Sequence, residues 1–163
     1  MDITTGALGA ERRSLKVRDT DLAWAAGLID GEGCISLNAV RIRSKSGRLT
    51  YELRVVVNNT DIRLLNRLRE ILGLGFICPM KRYSARHRPA WQWEVKSRKA
   101  EMVIRSVLPY LVGKREEAEL GLLSRQYMQP VGTSSENPNA EQLAWLKREL
   151  SSLKGHRRGG GES

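Results

Sequence analysis

The stretch TDLAWAAGLIDGEGCISLNAVRIRSKSG, residues 20–47, decides how this chain is read. A helix starter, Asp19 or Thr20, opens a run of small and apolar residues that closes on Asp30, Gly31, Glu32 and Gly33. Helices commonly finish on lysine, arginine or glycine, because the exposed carbonyls of a helix C-terminus carry partial negative charge. Here two carboxylates stand at that end, in a chain of net charge +10. Within the helix Ala23, Gly27 and Gly31 recur at i, i+4 and i+8, with Ala26 beside them. Such a seam of small side chains lets two helix backbones approach closely. A snug internal helix packed on a sheet is the plain account of the seam. The acids favour another, in which a hard divalent cation takes oxygen from both carbonyl and carboxylate at the helix end. Two packed copies of the helix would then bring two such sites to a two-fold axis.

At 163 residues the chain is long enough for one domain with a real core. The expected division is a flexible N-terminal segment over 1–18, one folded domain over 19–153 and a disordered, basic and glycine-rich tail over 154–163. No apolar run approaches the ~20 residues of a membrane span, so no membrane partner is expected. Nothing near the N-terminus reads as an export signal, which points to an intracellular protein. Cys34 and Cys78 stand far apart, with no CxxC spacing or neighbouring histidine, so unpaired thiols are expected rather than a disulfide or zinc site. The basic excess favours a polyanionic partner.

The distribution of charge is more informative than its sum. Residues 33–51 hold no acid but include Arg41, Arg43, Lys45 and Arg48. Residues 71–93 hold none either, and include Lys81, Arg82, Arg86 and Arg88. Both stretches read as β-hairpins. In the first, Ile35, Leu37 and Ala39 alternate with Ser36, Asn38 and Val40; after a turn at 44–47, Tyr51, Leu53, Val55 and Val57 alternate with Thr50, Glu52 and Arg54. In the second, a basic loop around 84–89 leads into Trp91, Trp93 and Val95 against Gln92, Glu94 and Lys96. Each hairpin thus has one apolar and one polar face. A solvated surface is the ordinary account of one charged strand face, and two acid-free hairpins make it less sufficient.

Helical spacing fills the rest. Ile62, Leu65, Leu68 and Leu72 form a stripe with Asn59 or Thr60 as N-cap and Gly73 as C-cap. Val103, Ile104, Val107, Leu108 and Leu111 mark a second helix, and residues 114–128 a third, interrupted by Gly121. A fourth opens with Asn137 as cap and Pro138 in its first turn, and carries Leu143, Leu146, Leu150 and Leu153. The fold class is therefore α+β: an αββαββα core whose antiparallel sheet is covered by helices on one face, with extra C-terminal helices.

The segment WAAGLIDGEG, Trp24–Gly33, resembles the signature of the LAGLIDADG homing endonucleases. Ala26, Gly27, Leu28, Ile29, Asp30 and Gly33 coincide with the motif, while Ala25, Gly31 and Glu32 replace its first leucine, second alanine and second aspartate. The element order, the helix start Asn59-Thr60-Asp61, LGLG at 72–75 and LPYLVGKREEAEL at 108–120 extend the likeness over about residues 20–130. The resemblance implies a homodimer joined through the motif helices, with Ala23, Ala26, Gly27 and Asp30 at the interface and a saddle-shaped sheet in the DNA major groove. Asp30 is in addition expected to accept hydrogen bonds at the helix end. It further implies a site-specific homing endonuclease making a staggered, Mg²⁺-dependent double-strand cut with 3′ overhangs. Mn²⁺ is expected to substitute, and Ca²⁺ to bind without supporting cleavage. Glu32 and the Gly31 carbonyl would hold the metal. Asn58 or Asn59 takes the position of a water-orienting polar residue, with Asn59 assigned it here and a helix cap as its plainer role. Lys96 takes that of a charge-stabilising lysine. An intracellular place is expected, in a prokaryotic cytoplasm or an organelle, with the compartment itself left open.

For DNA contacts, Ser36, Asn38, Arg54, Gln92 and Glu94 are assigned to base edges. Arg41, Arg43, Lys45, Arg48, Lys81, Arg82, Arg86 and Arg88 are assigned to bases or phosphates further out, and Arg63 to a phosphate. Lys114 and Arg115 are weaker phosphate candidates, and His87 needs no role. Arginine outnumbers lysine, which suits planar bidentate contacts. Three alternatives share these residues: an RNA maturase acting on an intron, a DNA-binding regulator without catalysis, and a purely structural basic dimer.

Overall fold

The computed structural model describes residues 17–42, 47–82, 84–130, 132–133 and 135–158, with backbone only for 156–158. Helix α1 (Asp19–Glu32) passes directly into strand β1 (Gly33–Arg41), followed by β2 (Leu49–Asn59), α2 (Ile62–Leu72), β3 (Phe76–Pro79), β4 (Trp91–Lys96) and α3 (Ser97–Val107). A 3-10 turn (Leu108–Tyr110) then leads to α4 (Arg115–Tyr127) and α5 (Ala140–Arg158). The αββαββα order and the added helices are as the hydrophobic periodicity predicts. The four strands form one antiparallel sheet in the order β1-β2-β4-β3.

Alternation along the strands decides which side chains go inward. Ile35, Leu53, Val55, Val57, Trp93 and Val95 are buried beneath α1, α2 and α3, which supply Ala25, Ala26, Ile29, Leu65, Leu68, Val103, Ile104 and Val107. A second cluster lies further along β1, where Leu37 meets Leu143, Leu146 and Leu150 of α5. Gly121 has a packing reason: a Cβ there would stand 3.0 Å from Leu53 Cδ1, so any side chain would push the Leu53 methyl by a few tenths of an ångström where α4 presses on the sheet.

Several boundaries differ from expectation. Neither Asp19 nor Thr20 caps α1; Arg18 occupies that position, its guanidinium paired with Asp21 at 3.1 Å. Asp61, not Asn59 or Thr60, caps α2 by accepting the Arg63 N–H at 3.0 Å. Asn137 does not cap α5: its Oδ1 accepts from Asn139 N at 2.9 Å and its Nδ2 donates to the Tyr127 carbonyl at 2.8 Å, closing a turn that holds Pro138 before the helix starts. At α2 and before α5, short polar side chains compete for backbone donors two residues on, and the winner depends on how the chain enters the helix. The tail also differs, since α5 continues through Gly155 to Arg158. A helix anchored by three buried leucines absorbs one glycine, which costs about 1 kcal/mol relative to alanine. The remaining tail residues 159–163, and 1–16 of the N-terminal segment, lie outside the described residues.

A shared carboxylate ties α3 to α4. Glu101 accepts from Arg105 in its own helix and from Arg125 of α4, both at 3.0 Å. The Arg125 hydrogen bond foremost, then that of Arg105, holds the Glu101 carboxyl below its ordinary pKa despite partial desolvation. A lowered carboxylate pKa stabilises the fold above the ordinary value, and that stabilisation is lost as pH falls through the native one. Glu101→Gln should therefore lower Tm near neutral pH, and the difference from wild type should shrink below about pH 4, as thermal unfolding across pH would record.

Candidate nucleic-acid interface and metal site

The two acids at the end of α1 fall into different environments. Asp30 Oδ2 accepts the Val112 N–H and Oδ1 the Lys114 N–H, each at 2.8 Å. The Lys114 ammonium also donates to the Asp30 carbonyl. Asp30 is thus the tether that fastens the segment between the 3-10 turn and α4 to the helix end, and Lys114 brings positive charge to the terminal carbonyls. Glu32 is exposed and has no hydrogen-bond or ion-pair partner among the described residues. Gly33 makes this placement possible: a Cβ there would lie 2.5 Å from the Ile29 carbonyl oxygen, so only glycine allows helix to become strand without a loop.

Among the described residues no three His, Cys, Asp or Glu side chains cluster as a closed metal site. What α1 offers is one free carboxylate, Glu32, beside the exposed backbone of Gly31. That donor set fits Mg²⁺, which commonly takes one or two carboxylates and completes its octahedron with water and substrate phosphate.

The face of the sheet away from the core carries the polar alternates. Strand register sets them in rows: Cys34–Val56–Glu94–Phe76, then Ser36–Arg54–Lys96, with Asn38–Glu52 beyond and Asn58–Gln92–Cys78 at the other end. The side chains are linked across β2 and β4. Arg54 donates through Nε to Glu94 and through Nη2 to Gln92 Oε1 at 3.1 Å, and Gln92 donates to Asn58 Oδ1 at 3.0 Å. Lys96 Nζ lies 3.3 Å from Glu94 and 3.6 Å from Glu52. Cys34 and Cys78 share this face as free thiols on opposite edge strands. Three strand spacings, about 14 Å, hold them beyond disulfide reach.

The assigned residues separate into groups. Ser36, Asn38, Arg54, Gln92, Glu94 and Lys96 share the open face. Lys81, Arg82, Arg86 and Arg88 are exposed on the β3–β4 loop, where Ser84 accepts from the Arg86 and His87 backbone. Arg41 is exposed, with Nη1 3.3 Å from the Gly47 carbonyl. Arg48 is committed elsewhere: its guanidinium donates to the carbonyls of Thr133 at 2.5 Å and of Ser135, anchoring the loop before α5. Arg63 is exposed and forked onto Asp61, with contacts of 2.9 and 2.6 Å. That hydrogen bonding raises the Arg63 pKa and lowers that of Asp61. Arg43 and Lys45 lie outside the described residues.

Three placements depart from the simplest expectation. Asn59 turns its carboxamide oxygen to the Asp61 N–H at 2.8 Å, leaving Asn58 as the residue on the open face. Lys96 is not brought beside Glu32; three residues along β2 and two strand spacings separate its row from that of Gly33, about 14 Å of backbone. Ala26 is fully buried in the protomer's own core, whereas Ala23, Gly27 and Gly31 form an exposed stripe with Trp24. A Cβ on Gly27 or Gly31 would meet nothing within 4 Å, so the protomer itself has no steric use for either glycine. The role of Lys114 at the helix end is the feature that sequence reading missed, since its partner stands 84 positions away.

The Asp30 tether predicts a specific cost. Asp30→Asn sets an amide donor against one of these backbone N–H groups; with the Val112 bond exposed and the Lys114 bond partly buried, the loss should be that of one hydrogen bond, about 1 kcal/mol. Urea unfolding should show that loss.

With this geometry in hand, likenesses to known proteins become informative. The sequence profile of the LAGLIDADG endonuclease family matches residues 25–115, more than half of the chain. Among solved structures, the homing endonuclease I-CvuI in complex with an I-CreI target matches with a TM-score of 0.67 at 23% identity, over 82% of each chain. The archaeal intron-encoded homing endonuclease I-Vdi141I complexed with DNA matches with 0.66 at 16% identity, over 83% of this chain and 84% of that one. The meganuclease I-SmaMI bound to uncleaveable DNA matches with 0.55 at 22% identity, over 82% of this chain but 43% of its own. The four-stranded sheet with helices on one face is thus a fold shared with these proteins. On its motif, fold and matched length, this chain belongs to the LAGLIDADG endonuclease family.

Proposed function

We propose that the chain is a site-specific homing endonuclease that works as a homodimer on double-stranded DNA, making a Mg²⁺-dependent staggered cut that leaves 3′ overhangs. The observation that carries this reading is the free Glu32 carboxylate at the α1–β1 junction, on a helix whose outer stripe is small for no reason internal to the protomer. Gly27 and Gly31 each cost about 1 kcal/mol of helix stability relative to alanine. Close packing against a second α1 would offset that cost and bring two Glu32 side chains together. Matching I-SmaMI over less than half of its length supports the same reading, since two copies of this chain would be needed to make a comparable whole.

DNA would lie along the open face. Strand β2, with 11 residues, spans about 37 Å, close to one B-DNA turn of about 34 Å. Ser36, Asn38, Arg54 and Gln92 face base edges, while Arg41, Lys81, Arg82, Arg86 and Arg88 suit phosphates at the margins. Glu32 and the Gly31 carbonyl would hold the cation, whose chemistry is to polarise the scissile phosphate and favour deprotonation of the attacking water. Lys114, which the fold holds at that same helix end, is the better candidate than Lys96 for stabilising the developing negative charge. Asn59 and Arg63 stand at the entrance to α2, Asn59 orienting the turn and Arg63 available to a phosphate.

Cleavage of a randomised duplex library tests the chemistry. Wild type should give staggered ends with Mg²⁺ or Mn²⁺ and tight binding without cutting in Ca²⁺. Glu32→Gln should lose cleavage by at least about a thousandfold with binding retained, and Lys114→Met should lose more than Lys96→Met. Binding with no cutting in any divalent ion would replace this reading by the regulator, and selective binding of structured RNA by the maturase.

The dimer makes its own prediction. Gly27 is exposed and a Cβ there would meet nothing within 4 Å in the protomer, and leucine improves helix propensity, so in Gly27→Leu Tm should hold or rise while sedimentation shifts from dimer to monomer. An unchanged dimer would place the contact elsewhere.

A further inference from the structure

We infer that Glu94 is a positioning residue that aims Arg54 at one guanine in each half-site, and does not itself read DNA. The inference rests on the open face being the DNA-contacting surface. Arg54 stands in the middle of β2, between Ser36 on one side and Lys96 on the other. Two acceptors on β4 hold its guanidinium: Glu94 takes Nε–H, and Gln92 takes one Nη2 hydrogen at 3.1 Å. Gln92 is itself fixed by Asn58 at 3.0 Å. Of the five N–H donors, this leaves three, the two on Nη1 and the second on Nη2, without a partner among the described residues. One hydrogen from each of these nitrogens makes the fork that matches O6 and N7 of guanine in the major groove. An arginine already held in plane gives up less freedom on binding than an unrestrained one.

Glu94 is unsuited to reading a base. It is 5% exposed, and its Oε1 accepts from Arg54 Nε and is ion-paired with Lys96 Nζ at 3.3 Å. A carboxylate so covered has little left for a cytosine amine. The surrounding charges point the same way: Arg54 and Lys96 are balanced by Glu94 and Glu52, the last 3.6 Å from the lysine. The centre of the face is therefore neutral, built for discrimination rather than for attraction to phosphate.

Selection from a randomised duplex library, with the full chain in Ca²⁺ so that no site is cut, tests this. Wild type should enrich sites with guanine fixed at one position per half-site. Arg54→Lys, which keeps the charge but lacks the fork, should lose about ten- to a hundredfold of the preference there and nowhere else. Glu94→Gln should relax the same position by a smaller factor, about three- to tenfold, with no further loss in the Arg54→Lys background. Gln92→Leu, which removes the other acceptor, should relax that position too. A changed preference at a different position in Glu94→Gln, a cytosine above all, would show that Glu94 reads DNA and overturn the inference. A uniform fall in affinity at all positions would overturn it as well, by making Glu94 merely structural. Should wild type enrich no sequence, the DNA-site reading itself falls and the inference with it.

Discussion

The rest of the structure depends on how one carboxylate is satisfied at the wrong end of a helix. Asp30 stands among the unpaired carbonyls of the α1 C-terminus, where negative charge is unfavourable. Two backbone N–H groups from Val112 and Lys114, and the Lys114 ammonium on the neighbouring carbonyl, reverse that balance. The same contacts fix where α4 begins relative to α1, and α4 in turn presses Gly121 against Leu53 of the sheet. With Asp30 consumed by structure, Glu32 two residues on has no partner among the described residues. Of the two acids that end the helix, one holds the fold together and the other is the proposed metal ligand.

The open face divides its labour by charge. Its centre is a linked set of polar side chains in which arginine and lysine are matched by two glutamates. Its margins are exposed arginines and lysine on the β3–β4 loop, together with Arg41. Long-range attraction to a polyanion would come from the margins, and discrimination from the centre, where hydrogen-bond geometry rather than net charge decides. On the proposed function, a chain of charge +10 would carry matched carboxylates in the middle of its nucleic-acid surface.

Much of the fold was legible from side-chain spacing. Leu65 and Leu68 on α2, Val103, Ile104 and Val107 on α3, and Leu143, Leu146 and Leu150 on α5 are buried as their period implies. The strand alternates Ile35, Leu53, Val55 and Trp93 went inward for the same reason. Helix starts were less legible: Asn59, Thr60 and Asp61 are all competent caps, and only the path from β2 selects Asp61. The length of α5 was hidden too, because Gly155 and the charges after it look unstructured until the leucines before them are docked.

The sequence by itself determined the α+β order, the polar and apolar faces, the concentration of basic residues on two hairpins and the acid-ended helix, because each is a matter of periodicity or of neighbours within a few positions. Tertiary structure alone decided which residues are free to act. Arg48 was indistinguishable from the other hairpin arginines until its guanidinium met carbonyls 85 and 87 positions away. Ala26 was one small residue of a seam until packing turned it into the core, leaving Ala23, Gly27 and Gly31 outside. Lys96 followed the alternation onto the open face, yet strand order set it among glutamates, while the contacts with Asp30 put Lys114 at the end of α1. Hydrogen bonds between residues distant in sequence depend on register and packing, which local patterns do not encode.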